Sequence, residues 1–245
     1  MKKSLFFVPF WLLAFCGFSQ EKALDSRAVI VLDRMSEVIG DLTSCSFELK
    51  TTVDQPHDSV GVIREFFSHD VFFTGPDKMH VVTKGPQETH AYWYNGDIVM
   101  YYSFTYNRYG FIDAPDNILE TIDFVNNEYG VDFPASDFFY PTFTDDLLEN
   151  SDRVDYIGRV NVDGKECHHI VAKSEDSHIQ IWISNDTFVL PMRYVISKNQ
   201  NGKVMDFEGV FSNWKLNPNL PNAIYDFVVP ESARILTILP KSSIQ

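Results

Sequence analysis

SRAVIVLDRMSEVIG (residues 26–40) and SCSFELKTTV (residues 44–53) are separated by three residues, and the hydrophobic period changes between them. In the first stretch Ala28, Val31, Leu32, Met35, Val38 and Ile39 recur at three- and four-residue steps, continued by Leu42. That spacing predicts an amphipathic helix over 26–40, started by Asp25 or Ser26 and ended by Gly40. In the second stretch Cys45, Phe47, Leu49, Thr51 and Val53 alternate, as one face of a strand does.

Outward from this switch, Asn95-Gly96, Asp163-Gly164 and Asn201-Gly202 each lie between strand-like runs, where such pairs favour hairpin turns. Further strands are expected over 60–67, 69–74, 79–84, 89–94, 98–103, 153–160, 165–173, 177–184, 189–198 and 203–214. Between the two strand groups Asp116 starts a predicted helix bearing Ile118, Leu119, Ile122 and Val125, with Gly130 beyond its end. Residues 144–150, TDDLLEN, give a shorter helix. Helix, sheet, helical insert, sheet is an α+β order, expected to build a large curved antiparallel sheet or incomplete β-barrel covered by the helices.

The two strand groups differ in pattern. In HIQIWIS (178–184) Ile179, Ile181 and Ile183 share one face and His178, Gln180 and Trp182 the other. In the first group Phe66-Phe67, Val71-Phe72-Phe73, Tyr92-Trp93-Tyr94 and residues 98–102 are apolar or aromatic on both faces. Such strands need cover on both sides. Either the insert fills the inside of a curled sheet, or that inside is a cavity for an apolar ligand.

The N-terminus reads as a cleavable secretion signal over residues 1–19: Lys2 and Lys3, an apolar run from Leu5 to Phe15, then Gly17 and Ser19 around the cleavage point. Bulky Phe15 before Cys16 disfavours lipid anchoring there. The remaining residues, 20–245, are expected to form a single domain, exported or periplasmic, with no transmembrane segment. Without Lys2 and Lys3, 18 basic residues face 34 acidic ones, a formal charge of −16. This acidity argues against nucleic acid and anionic lipid surfaces as partners. Cys45 and Cys167 lie on separate predicted strands and pair only if the fold joins them.

Catalytic and metal motifs are sparse. G-x-S-x-G, H-E-x-x-H, phosphate-loop and EF-hand patterns are absent. His168 and His169 point to opposite strand faces, which leaves His178 to face one of them across a hairpin; no ligand set at a zinc spacing follows. Asp145-Asp146 reads as helix-start chemistry, and Asn185-Asp186-Thr187, although a glycosylation sequon, as a turn. No cofactor is expected.

Five blocks in order, DSRAVIVLDRMSEVIGDLTSCSFEL (25–49), YIGRVNVDGKECHHI (156–170), IQIWI (179–183), LPMRYVI (190–196) and FSNWKLNPNLPNAIYDFVVP (211–230), resemble the predicted periplasmic proteins grouped as domain of unknown function 2092. That family looks like a relative of the LolA/LolB periplasmic lipoprotein carriers. The resemblance, spanning residues 25–235, implies an exported location and an unclosed barrel with helices over an apolar interior. Arg64 and Arg193 are the two candidates for the basic residue that LolA keeps inside its barrel.

The expectation is therefore a non-catalytic carrier or sensor that holds a lipid, an acyl chain or another apolar molecule in the concave face. Burial there is worth about 25 cal/mol per Å². The expected lining is Phe47, Leu49, Phe73, Trp93, Met100, Tyr102, Phe207 and Phe211, with Ile118, Leu119, Ile122 and Val125 on a lid helix. An envelope protein-binding module and a hydrolase are the alternatives. An exposed apolar patch over a filled interior marks the first; converging Ser, His and carboxylate groups mark the second.

Overall fold

The computed structural model describes residues 22–200 and 202–243; the signal, its cleavage after Ser19, and Cys16 lie outside the described residues. In chain order the elements are β1 (Ala23–Leu24), α1 (Ser26–Gly40), β2 (Ser44–His57), β3 (Gly61–Thr74), β4 (Lys78–Lys84), β5 (Thr89–Tyr94), β6 (Ile98–Ser103) and β7 (Arg108–Asp113). The insert, α2 (Ile118–Tyr129), a 3-10 turn (Ser136–Phe139) and α3 (Phe143–Glu149), comes next. Then follow β8 (Arg153–Val162), β9 (Lys165–Lys173), β10 (Ser177–Ser184), β11 (Pro191–Gln200), β12 (Lys203–Leu216) and β13 (Arg234–Ile235).

All strands join one sheet in the order β1-β8-β9-β10-β11-β12-β2-β3-β4-β5-β6-β7-β13. Internal pairs are antiparallel; β1 with β8 and β13 with β7 are parallel. The ends β1 and β13 are not hydrogen-bonded neighbours, so the curved sheet is an incomplete barrel. Its concave face shares one core with α1, through Ala28, Leu32, Met35 and Ile39, and with the insert, through Ile122, Val125, Phe138, Phe143 and Leu147.

The helix starts follow side-chain chemistry. The Asp25 carboxylate accepts from the Arg27 N–H at 2.9 Å. For α2 the cap is Asn117 rather than Asp116: the Asn117 side chain accepts from the Glu120 N–H at 2.9 Å. Gly130, at φ 72°, ends the helix in the left-handed conformation.

Three strand expectations are corrected. Residues 60–67 and 69–74 belong to a single strand, β3, because β2 supplies a ladder partner all along it, through polar Ser68 and His69. β7 has no counterpart among the expected strands, because Gly110 interrupts its pattern. A side chain there would meet Leu236 and Ile238, since a Cβ would lie 2.7 Å from Leu236 Cδ1. The two-residue strands β1 and β13 carry no period at all.

The double-sided apolar pattern of the first strand group has a cause that neither sequence alternative contained. Tyr94 is buried inside the concave core and Tyr92 packs on Phe133 of the insert, with ring centroids 5.4 Å apart. Strand alternation therefore turns Trp93 to the convex face. There the Phe227 ring lies 4.7 Å from Trp93, 5.3 Å from Tyr102 and 6.4 Å from Tyr109. Buried Tyr225 shares a 2.7 Å hydrogen bond with Thr74 on the same face. The segment after β12 thus crosses the outside of the sheet and adds β13 to its edge. It then turns inward, where the Lys241 ammonium donates to the Asn126 carbonyl at 2.8 Å near the end of α2.

This strap yields a stability prediction. Phe227→Ala should cost about 2 kcal/mol in urea unfolding, less than a fully buried Phe because the ring is half-exposed. A loss below about 0.5 kcal/mol, the scale of an ordinary surface change, would show that the strap contributes no packing.

Cys45 and Cys167 are both free and buried. They sit on β2 and β9, four ladder steps apart, or about 19 Å along the sheet, whereas a disulfide needs Cα atoms within about 7 Å. Burial pushes the Cys45 thiol up to about 12.

Candidate functional site

Alternation in β10, β11 and β12 sends Ile179, Ile181, Tyr194, Ile196, Lys198, Gln200, Met205 and Phe207 toward the concave side. Opposite them stand Ile122 of α2, residues 132–138 and Tyr140 of the insert, and Phe143 and Leu147 of α3. Between the two walls is a cleft of about 820 Å³. Phe138 fixes its inner end: its ring stacks on Phe143 at 4.7 Å and meets Tyr194 and Phe211 edge-on at 5.2 and 5.6 Å. These contacts hold the insert to the sheet at the inner end, and beside them the wall is uncovered among the described residues.

The floor is aliphatic and aromatic; the mouth is acidic. Asp123, Asp132, Asp137 and Asp146 come from the insert, and Lys198 faces them from β11. Asp123 accepts from the Tyr140 hydroxyl at 2.6 Å, Asp146 from the Thr142 hydroxyl at 2.6 Å, and Asp132 from the Asn126 amide. Asp137 is exposed by surface area yet closely surrounded by protein, as a group inside a cleft is. That partial burial, and then the charges of Asp132, Asp146 and Asp123, raise its carboxyl above the ordinary range against the pull of Lys198. On the floor, the Tyr194 hydroxyl is buried without a hydrogen-bond partner among the described residues. The Tyr194 ring lies over Gly209, where a Cβ would come within 2.1 Å of it, so a glycine is required at that position.

The other half of the interior is solid. Phe47 is surrounded by Phe73, Phe139, Phe211 and Trp214, with ring centroids 4.4–6.3 Å away. A void of about 20 Å³ lies beside it, lined by residues including His69, Met79, Val81 and Phe133.

Of the residues expected to form the lining, Ile122 and Phe207 face the cleft. Phe47, Leu49, Phe211 and Val125 belong to the packed core; Phe73 and Ile118 pack against it and half-buried Leu119 lies outside the lining. Trp93, Met100, which pairs with Trp93 in register, and Tyr102 are on the convex face, because the strap rather than the insert covers them. Neither arginine enters the cleft. Arg64 pairs with Asp54 at 2.7 and 2.9 Å, and Arg193, on the face opposite Tyr194, lies 3.4 Å from Glu208. The cleft's Ile179 and Ile181 carried a clear alternating signal. Phe138 carried none, because it sits in an irregular segment.

His168, His169 and His178 form no common site. His169 stacks on Trp182 at 4.6 Å, His168 hydrogen-bonds the Tyr156 hydroxyl at 2.9 Å, and His178 faces neither, being paired with Lys173 at the far end of the hairpin. Among the described residues no three His, Cys, Asp or Glu side chains converge as a metal site would require. Asp186 organises its turn, accepting from the Ser184 hydroxyl at 2.9 Å and from the Phe188 and Val189 N–H groups at 3.0 and 3.2 Å.

The fold is thus an unclosed barrel with helices over its concave face and a cleft of about 820 Å³ between them. The chain belongs to the family of predicted periplasmic proteins DUF2092, whose model matches residues 28–239. It is similar to the lipoprotein LppX of Mycobacterium tuberculosis, at 15% identity over 80% of this chain and 98% of that one, with a TM-score of 0.49. An uncharacterized conserved protein from Thermus thermophilus is similar at 16% identity over 86% and 99%, TM-score 0.47. A LolA superfamily protein from Nitrosomonas europaea is similar at 11% identity over 82% and 97%, TM-score 0.34. No match is found among curated proteins. Among the described residues no helix is long and apolar enough to cross a membrane.

Proposed function

We propose that this protein is a non-catalytic carrier or sensor that holds the apolar part of an amphiphile in the cleft between β10–β12 and the helical insert. The observation that carries the reading is the cleft itself: about 820 Å³ over a floor of Ile179, Ile181, Ile196, Met205, Phe207 and Phe138. That volume lies within the range of about 300–1,000 Å³ usual for small-molecule sites. Each methylene buried on such a floor contributes about 0.8 kcal/mol, so an acyl chain of ordinary length supplies several kcal/mol before the cost of immobilising it. Apart from Tyr194 the polar groups stand at the mouth rather than around one point of the floor. This suits retention of a chain more than attack on a bond.

The test uses the mature protein isolated from its native compartment, analysed by native mass spectrometry with solvent extraction, and by titration with the neutral fluorescent probe N-phenyl-1-naphthylamine. A co-purifying amphiphile, or saturable probe binding, is expected. Ile196→Trp and Ile179→Trp, which fill the cleft from its half-buried wall, should weaken the probe about tenfold or more, equivalent to about 1.4 kcal/mol, with little change in Tm. Trp93→Phe on the convex face should leave binding unchanged. A clean apo mass together with no probe binding would refute the reading.

A further inference from the structure

The charge around the mouth and the chemistry of the floor specify the guest further. Four carboxylates, Asp123, Asp132, Asp137 and Asp146, come from separate turns of the insert to one cleft, and among the described residues Lys198 is the single cation in its lining; Asp54 and Asp206, which also line it, are paired with Arg64. Among the described residues none of the four is in an ion pair, and the donors that reach three of them are neutral: a tyrosine hydroxyl, an amide and a threonine hydroxyl. Part of this acidity has a local use, since Asp146 also stands in the first turn of α3, where the helix dipole favours it. Asp137 stands in the first turn of the short 3-10 helix Ser136–Phe139, whereas Asp132 lies in no helix and has no such use.

The second observation is independent of charge. Tyr194 is 4% exposed and lines the cleft, and among the described residues its hydroxyl has no partner. A buried hydroxyl left unpaired is costly, which marks a place where a guest's oxygen is expected to sit. The aromatic rings of Phe133 and Tyr140 also line the cleft, near Asp132 and Asp137 in the chain.

Resting on the cleft as the binding site, we infer that its guest is a cationic amphiphile: an apolar tail on the floor, an oxygen against Tyr194, and an amine or quaternary ammonium head among Asp123, Asp132 and Asp137. An anionic head would meet at least three carboxylates for one ammonium, in a partly desolvated space where like charges repel more strongly than in water. The overall acidity of the chain adds a long-range pull of the same sign, so the test separates mouth from surface.

The experiment is calorimetric titration of the full mature chain with four probes sharing a twelve-carbon tail, each below its micelle concentration: dodecyltrimethylammonium, dodecylphosphocholine, dodecyl maltoside and laurate. The cation is expected to bind about tenfold or more tighter than laurate in low salt, with the gap narrowing in 0.5 M salt as screening grows. Asp132→Asn with Asp137→Asn should remove most of that gap while leaving the maltoside affinity intact. Asp33→Asn, an exposed carboxylate on α1, should leave it unchanged. Laurate binding as tightly as the cation, or a preference that survives the mouth variant, would overturn the charge assignment while leaving the cleft as a binding site. Failure of all four probes would instead remove the binding site itself.

Discussion

Phe47→Ala should destabilise the protein by about 3–5 kcal/mol, whereas Ile196→Ala should cost under about 1.5 kcal/mol, although both truncate an apolar side chain on the concave face. Phe47 is enclosed by Phe73, Phe139, Phe211 and Trp214, so removing its ring leaves a cavity that these rigid neighbours cannot close. Ile196 already borders the cleft, so its truncation loses fewer contacts and creates little new void. Urea unfolding of the two variants against the parent measures the contrast. Equal losses would mean that the insert collapses onto β11 in solution and that the cleft closes without a guest. The comparison therefore tests the division of the interior on which the carrier reading depends.

Acid should weaken the fold through one buried imidazole on β3. His69 is 5% exposed on the concave side, and its two ring nitrogens are hydrogen-bonded to the hydroxyls of Thr51 at 3.0 Å and Thr83 at 2.9 Å. A neutral ring satisfies both contacts, donating through one nitrogen and accepting through the other. Burial, and secondarily the nearby His90, lower its pKa to about 4 from an ordinary 6.5. Because the folded value lies below the unfolded one, the unfolded chain takes up the proton first as pH falls. The stability held at neutral pH is lost progressively from about 6.5 down to about 4, below which this group adds no further slope. The loss by pH 4.5 should be about 2–3 kcal/mol. His69→Gln keeps a donor and an acceptor without titrating, so its stability should fall by that much less between pH 7.5 and 4.5. Parallel pH profiles for parent and variant would show that the ring is hydrated or already charged in the folded protein.

The two halves of the interior explain the mixed fate of the sequence expectations. Cys45, Phe47, Leu49 and Thr51 alternate inward as their spacing implied, yet Phe47 and Leu49 are core rather than ligand wall. Trp93 and Tyr102 are apolar for a reason no local window contains, since Phe227 lies more than a hundred residues further along the chain. Phe138 and Tyr194 meet from an irregular turn and a strand, and neither position announced the other.

Local physics was sufficient for what depends on neighbours in the chain. The period of 26–40 gave α1, the alternation of 44–53 and 177–184 gave strands with the right inward faces, and Gly130 ended α2. Tertiary structure alone decided which apolar faces meet each other and which are left to meet a guest. A side chain's hydrophobicity records that it avoids water without recording what will cover it. The strap took the convex face, α1 and most of the insert took the concave one, and the cleft is the part of that wall for which the described residues provide no cover.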